Sequence, residues 1–276
     1  MTSVAPAVPP GGSPEALQPS PPLWRSLGNR VIALSLVELQ KLRHDRSELY
    51  TRAIQPALWL LIFGETFTRL RAIPTGNIPY IDYLAPGILA QSALFMAIFY
   101  GIQIIWERDS GVLTKLLVTP TPRAALIAGK AFAAGLRALS QVVVVLALSA
   151  VLGVALTWNP LDLLGTIAAT LLGAAFFATV SMTIAGLART RERLMGIGQA
   201  ITMPLFFASN ALYPVNVMPT WLRWLSTGNP LSYEVEALRG MLLGTPARLP
   251  LDFAVLVVAL LAGITTAAML LPRLAR

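Results

Sequence analysis

Six apolar stretches, each about the length of a bilayer crossing, run through this chain and are separated by short loops rich in arginine. A spanning helix needs roughly 20 predominantly apolar residues. No soluble core built from 276 residues calls for six such segments. Hydrophobic residues make up 55% of the chain and charged residues only 12%, which points the same way. The sequence therefore predicts an all-α integral membrane protein. Its function belongs in transport, in membrane-embedded chemistry or in assembly.

Residues 1–22 are rich in Pro, Ser and Gly and lack the basic start and apolar run of a signal peptide, so they read as a disordered cytosolic tail. Residues 23–52 carry Trp24, Leu27, Val31 and Leu34 near one helical face and most of their basic residues elsewhere. That pattern predicts an amphipathic helix on the membrane surface. The rest of the chain, 53–276, reads as one six-span membrane domain, with spans expected near 53–67, 83–106, 131–157, 161–188, 194–213 and 251–271. Pro204 falls inside the fifth span, where a kink is expected. With both termini placed in the cytosol, sixteen Lys and Arg residues face inward and five outward. The positive-inside rule thus sets the orientation. The same placement explains the net charge of +8 without nucleic acid as a partner.

Three segments between spans carry more information than the spans. Residues 107–130 form the longest inward loop, in which Ser110 is expected to cap a short helix with Val112, Leu113, Leu116 and Leu117 on one apolar face. Pro120 ends that helix, Thr121 caps the next and Pro122 starts it. Such a helix suits docking into a partner's groove. Residues 189–193 make a basic turn suited to lipid phosphates. Residues 214–250 face outward and are too long for a turn. Trp221, Leu222, Trp224 and Leu225 suit a membrane interface, and 231–243 suits a second helix with Glu236 and Arg239 three apart. Short re-entrant or outer helices are expected there before the last span.

Several chemistries find no residues to carry them. There is no cysteine, and His44 is the single histidine, so thiolate and multi-histidine metal sites are excluded. The only Gly-Lys pair, Gly129-Lys130, has Ala124 and Ala131 where a phosphate-binding loop needs Gly and Ser or Thr. The chain is expected to hold no cofactor and no metal. Glu65, Asp82, Asp162 and Asp252 fall near span ends, where they read as carboxylates in interfacial water rather than as an ion path. No paired Asp, Ser-His or metal-ligand set lies within the spans.

Four stretches, in this order and on this topology, resemble the permease subunit of type-2 ABC exporters, the class that includes daunorubicin-resistance, polysaccharide-export and nodulation-factor-export permeases. They are Tyr80-Ile81-Asp82-Tyr83-Leu84-Ala85-Pro86-Gly87, then 107–120, then 208–218 with Tyr213-Pro214, and finally Asn229-Pro230-Leu231-Ser232-Tyr233 continuing through Glu236-Ala237-Leu238-Arg239-Gly240. The resemblance covers about 23–271 and departs from the family at Lys115, where relatives often carry an acidic residue.

The resemblance implies a permease powered by two copies of a separate ABC ATP-binding subunit that binds ATP and Mg. It also implies a second permease chain, identical or paralogous, and membrane lipids around the pair. The implied cargo is a drug, lipid, glycolipid or polysaccharide moved outward across the plasma membrane of a bacterium. Coupling to the ATPase falls to Glu107, Arg108, Ser110, Gly111, Leu113, Leu116, Leu117 and Pro120, with Glu107 as a polar contact or hinge. An outer gate and substrate exit fall to Tyr213, Trp221, Trp224, Tyr233, Glu234 and Arg239. Phe63, Phe67, Phe206 and Phe207 suit an apolar substrate path. Alternatives left open by the residues are an ion-coupled secondary carrier and a membrane assembly or immunity protein without transport activity.

Overall fold

The computed structural model describes residues 53–70, 73–76, 78–113, 122–188 and 190–274. The tail, the amphipathic helix, Leu116, Leu117, Pro120 and Thr121 lie outside the described residues. Every regular element among the described residues is helical. Helix α1 covers residues 53–70 and contains a π-helical turn at Trp59–Gly64. It is followed by α2 (Tyr80–Asp109), α3 (Arg123–Val151), α4 (Pro160–Ala188), α5 (Arg191–Phe207), α6 (Thr220–Thr227), α7 (Pro230–Leu243) and α8 (Leu249–Leu274).

Four of these, α2, α3, α4 and α8, are long and apolar enough to cross a bilayer. Four of the six expected spans are met by such helices among the described residues. The first expected span, helix α1, runs on through the π turn without a break. The fifth ends as a helix after 17 residues, at Phe207. Pro204 lies in the last turn of α5, so it precedes a helix end rather than a mid-span kink. The third span also stops early, at Val151, because Gly153 takes a left-handed φ of 73° and turns the chain. The apolar residues that follow had carried the sequence reading on to 157. Pro122 caps α3 instead of opening it, so the helix starts one residue later than expected.

Helix α2 lies at the centre, packed on α3, α4, α5 and α7, and α4 packs on α2, α3 and α8. Small residues allow this closeness, as helix association in a bilayer requires. The Gly101 amide donates to Ser181 Oγ at 3.1 Å, and the Ser181 hydroxyl donates in turn to the Ile98 carbonyl. A β-carbon at Gly87 would run into the backbone at Ala211.

Candidate functional site: two ends of one bundle

At one end, α2 stops, α3 starts and α5 starts. The Lys130 ammonium of α3 donates to Glu107 of α2, and both side chains are largely buried. Glu107 thus ties the second span to the third. Arg108 donates to the carboxylate of Asp109 at 2.8 Å. Arg191 of α5 donates to the same carboxylate at 3.2 Å, and its guanidinium lies 4.0 Å over the Trp106 ring. The expected lipid-facing role of the basic turn is therefore modified at Arg191, which faces Asp109 and Trp106.

The loop helix that Ser110 was expected to cap lies mostly outside the described residues, and what the structure shows of Ser110 is its place at the end of α2. Ser110 is the C-cap of α2, its hydroxyl donating to the Glu107 carbonyl at 3.2 Å, because the last carbonyls of a helix need donors. Gly111, at φ 72°, then turns the chain left-handed, and Leu113 is fully buried just beyond. A cavity of about 360 Å³ opens nearby, lined by Phe99, Gln103, Trp106 and Arg137 among others.

At the other end, α6 and α7 form a helical hairpin. Asn229 caps α7, its side-chain oxygen accepting from the Leu231 amide at 3.1 Å, and Gly244 ends the helix at φ 64°. The hairpin runs down into the bundle. At its open end the Thr157 amide donates to the Leu242 carbonyl at 2.7 Å, and Met241 faces Gly165. Farther in, Glu234 faces Gly173, and at the tip the Asn229 amide group donates to the Leu205 carbonyl at 2.7 Å. Trp221, Trp224 and Leu225 stay exposed on α6, as an interfacial anchor requires.

The backbone after α5 is irregular yet buried, which is tolerable at membrane depth only where protein satisfies it. Here it does. The Phe207 carbonyl accepts from Tyr213 OH at 2.6 Å, and the Leu212 carbonyl accepts from Tyr80 OH at 3.0 Å. Asn210 O accepts from Tyr83 OH at 3.0 Å and from Arg239 at 2.9 Å. Arg239 also donates to the Tyr83 carbonyl at 3.4 Å and stacks 3.7 Å from the Tyr83 ring centre. The expected helical pairing of Arg239 with Glu236 does not form, because a buried guanidinium meets carbonyl acceptors here. Tyr233 OH donates to the Thr227 carbonyl at 2.8 Å, closing the hairpin on itself. An open cavity of about 420 Å³ is lined by Tyr83, Asn210, Glu236 and Arg239 together with residues 74–76 and 78 and others.

The four phenylalanines do come together. Phe63 stacks between Trp59 and Phe67 at 4.4 and 6.0 Å, and Phe206 meets the Trp59 ring edge-on at 5.7 Å with Phe207 beside it. Phe206 is fully buried, so it packs α5 against α1 in this conformation. Phe63 and Phe207 remain exposed.

Sequence reasoning misplaced three carboxylates. Asp82 and Asp252 are 6% and 1% exposed, not solvated at an interface, because residues of neighbouring elements cover them. Glu234 has no exposure at all. The spans were read as nearly clear of mid-membrane ionisable groups, but a hairpin from outside them brings one in. Its signal in the sequence was a glutamate on the apolar side of a helix too short to cross.

A bundle of long apolar helices with a re-entrant hairpin at one end and an ion-paired loop at the other defines a polytopic transport-type membrane protein. The chain belongs to the ABC-2 type transporter family, whose members it matches over residues 29–243. It is 30% identical to a putative transport permease, ycf38, of Cyanophora paradoxa over 69% of this chain and 66% of that protein. It is 28% identical to the daunorubicin resistance ABC transporter permease protein DrrB1 of Streptomyces coeruleorubidus over 74% of this chain and 71% of the relative. Nodulation protein J of Sinorhizobium fredii is 29% identical over 62% and 64%. The chain thus spans about two thirds of the length of the curated relatives it matches.

Proposed function

We propose that this chain is the membrane-spanning subunit of an ATP-driven exporter that moves an amphipathic drug or lipid-like cargo outward. ATP and Mg are bound by two separate ABC ATP-binding subunits, and a second permease chain completes the path. The observation that carries this reading is the family match across 29–243, which takes in both ends of the bundle. The relatives named for daunorubicin resistance and for transport support the cargo class and the absence of a catalytic role in this chain.

In this reading both termini and the ion-paired end face the cytosol of a bacterium, and α1 and α5 complete six crossings. The bias of sixteen basic residues against five supports that orientation. The loop beyond Leu113 docks on the ATPase. Glu107 and Lys130, and Asp109 and Arg191, pass its movement to α2, α3 and α5 together as a rigid body. The hairpin is the outer gate.

The test is purification in mild detergent from the native host, with mass spectrometry of what accompanies the tagged chain. A soluble ATP-binding subunit in about equal amount is expected. Recovery of the chain alone, with ATP having no effect on its transport, overturns the reading. Within the reconstituted complex, exchanging Leu116 and Leu117 for Asp is expected to leave ATP hydrolysis running while transport is lost. Normal transport by that variant removes the docking role from the loop.

A further inference from the structure

Glu234 lies on α7, which packs against α2, α4 and α8. Its carboxyl group fills the space that a side chain at Gly173 would take, since a β-carbon there would run into both oxygens. Gly173 is near the midpoint of the 29-residue helix α4, about 20 Å from either end at 1.5 Å per residue. The Glu234 side chain is 0% exposed, and neither oxygen has a hydrogen-bond partner.

The ionisable groups on the packed elements lie elsewhere along them. They are Tyr233, Glu236 and Arg239 on α7, and Tyr80, Asp82 and Tyr83 at the start of α2, with Tyr100, Glu107, Arg108 and Asp109 toward its far end. Asp162 lies at the start of α4. Asp252 lies at the start of α8 with Arg248 just before it, and Arg273 is near its end by sequence. Arg239 is held by the carbonyls of Tyr83 and Asn210. None of these groups pairs with Glu234. An ionised carboxylate without water or partner costs several kcal/mol, and such a group takes up a proton instead. An ionisable residue at this depth is by default a functional one.

We propose that Glu234 is a proton-binding residue through which the α6–α7 hairpin is seated. With the carboxyl protonated, the hairpin packs down on Gly173. When the hairpin lifts and Glu234 meets water, its O–H bond breaks, the electron pair stays on the carboxylate and the proton passes to solvent. Reseating takes one proton back. This goes beyond the exporter reading and needs no ATP-binding partner, only that the hairpin end open to water. One proton released per opening makes the open fraction rise about tenfold per pH unit while the seated form predominates.

The chain has no cysteine, so Ser232→Cys places a single thiol two residues before Glu234 on α7, at a position 8% exposed whose native hydroxyl meets that of Ser226 across the hairpin. Its labelling by a charged, membrane-impermeant maleimide is measured on the full chain in lipid nanodiscs across a pH series. The same thiol in a Glu234→Gln background cancels the pH dependence of the thiol itself. The expected ratio of the two rates rises about tenfold per pH unit, and parallel profiles overturn the proposal. A second measurement needs no Glu234 variant. Infrared difference spectra of the chain with the native Glu234 are expected to lose a protonated-carboxyl stretch at the pH where the labelling ratio levels off and the open form comes to predominate. A spectrum without such a loss overturns the proposal. Both use the chain alone, so their failure leaves the exporter reading standing. Failure of the ATPase pull-down in turn leaves the proton result untouched.

Discussion

The two ends of the bundle are held by opposite physics. At the loop end, charged side chains pair with charged side chains: Asp109 with Arg108 and Arg191 in the open, and Glu107 with Lys130 under partial cover. Exposed pairs of this kind contribute little to stability and re-form readily with other partners. At the hairpin end, buried donors on Tyr80, Tyr83, Asn229 and Arg239 hold backbone carbonyls that no helix satisfies. Those bonds have no water to replace them, so breaking one leaves an orphaned buried group. One end is therefore built to be adjusted by a partner. The other is fixed except where the hairpin as a whole moves.

Removing Arg239 is the strongest way to break that contrast. Its guanidinium is buried, bonds two carbonyls from different segments and covers the Tyr83 ring. Hydrogen bonds to charged groups contribute roughly 1.5–3 kcal/mol each. Arg239→Met keeps the volume and loses the bonds, so it is expected to destabilise the chain by about 3 kcal/mol. Thermal unfolding in lipid nanodiscs checks this. A melting temperature equal to the native one means that the carbonyls of Tyr83 and Asn210 find other donors, and the contrast between the ends weakens.

The contrast also marks where sequence reading stopped. Helix class, the positions of α2, α4, α7 and α8 and the hairpin itself were legible, because apolar length and a breaker such as Pro230 are local signals. The end of α3 at Gly153 was not, since the residues after it stay apolar while pairing with the hairpin. Nor was the role of Ser110. Its identity fits either a cap for the next helix or a donor for the last one, and only the chain path decides. Burial of Glu234, Asp82 and Asp252 depends on which helix lies opposite, and no spacing within one segment encodes that. The loop-end pairs were half legible. Glu107 was singled out, but its partner Lys130 was read as an inward-facing basic residue and part of a failed phosphate loop, not as the partner of Glu107.

The Glu107–Lys130 pair sits between the two extremes and sharpens the comparison. Its side chains are 19% and 7% exposed, more covered than the Asp109 pairs. Lys130→Ala leaves Glu107 without that donor, while some solvent still reaches it. The expected cost is about 1.5 kcal/mol, the low end for a charge-assisted bond. In the reconstituted complex, transport per ATP hydrolysed is expected to fall more than ATP hydrolysis itself, because α2 and α3 lose their tie. A proportional fall in both means that the pair supports folding alone and passes no movement between the helices.

The smallest effect is expected at Asp109. Its carboxylate is exposed and takes bonds from both Arg108 and Arg191. Water replaces those bonds when the charge is removed, and salt already screens them. Asp109→Asn is therefore expected to leave the melting temperature unchanged at physiological salt. Any shift should appear only at low ionic strength and vanish as salt is added, which a salt titration of thermal unfolding reads directly. Arg191 keeps its stack on Trp106 in that variant, so α5 stays docked on α2 without the ion pair. A salt-independent loss of stability would make Asp109 a structural tie like Arg239 and remove the distinction between an adjustable end and a fixed one.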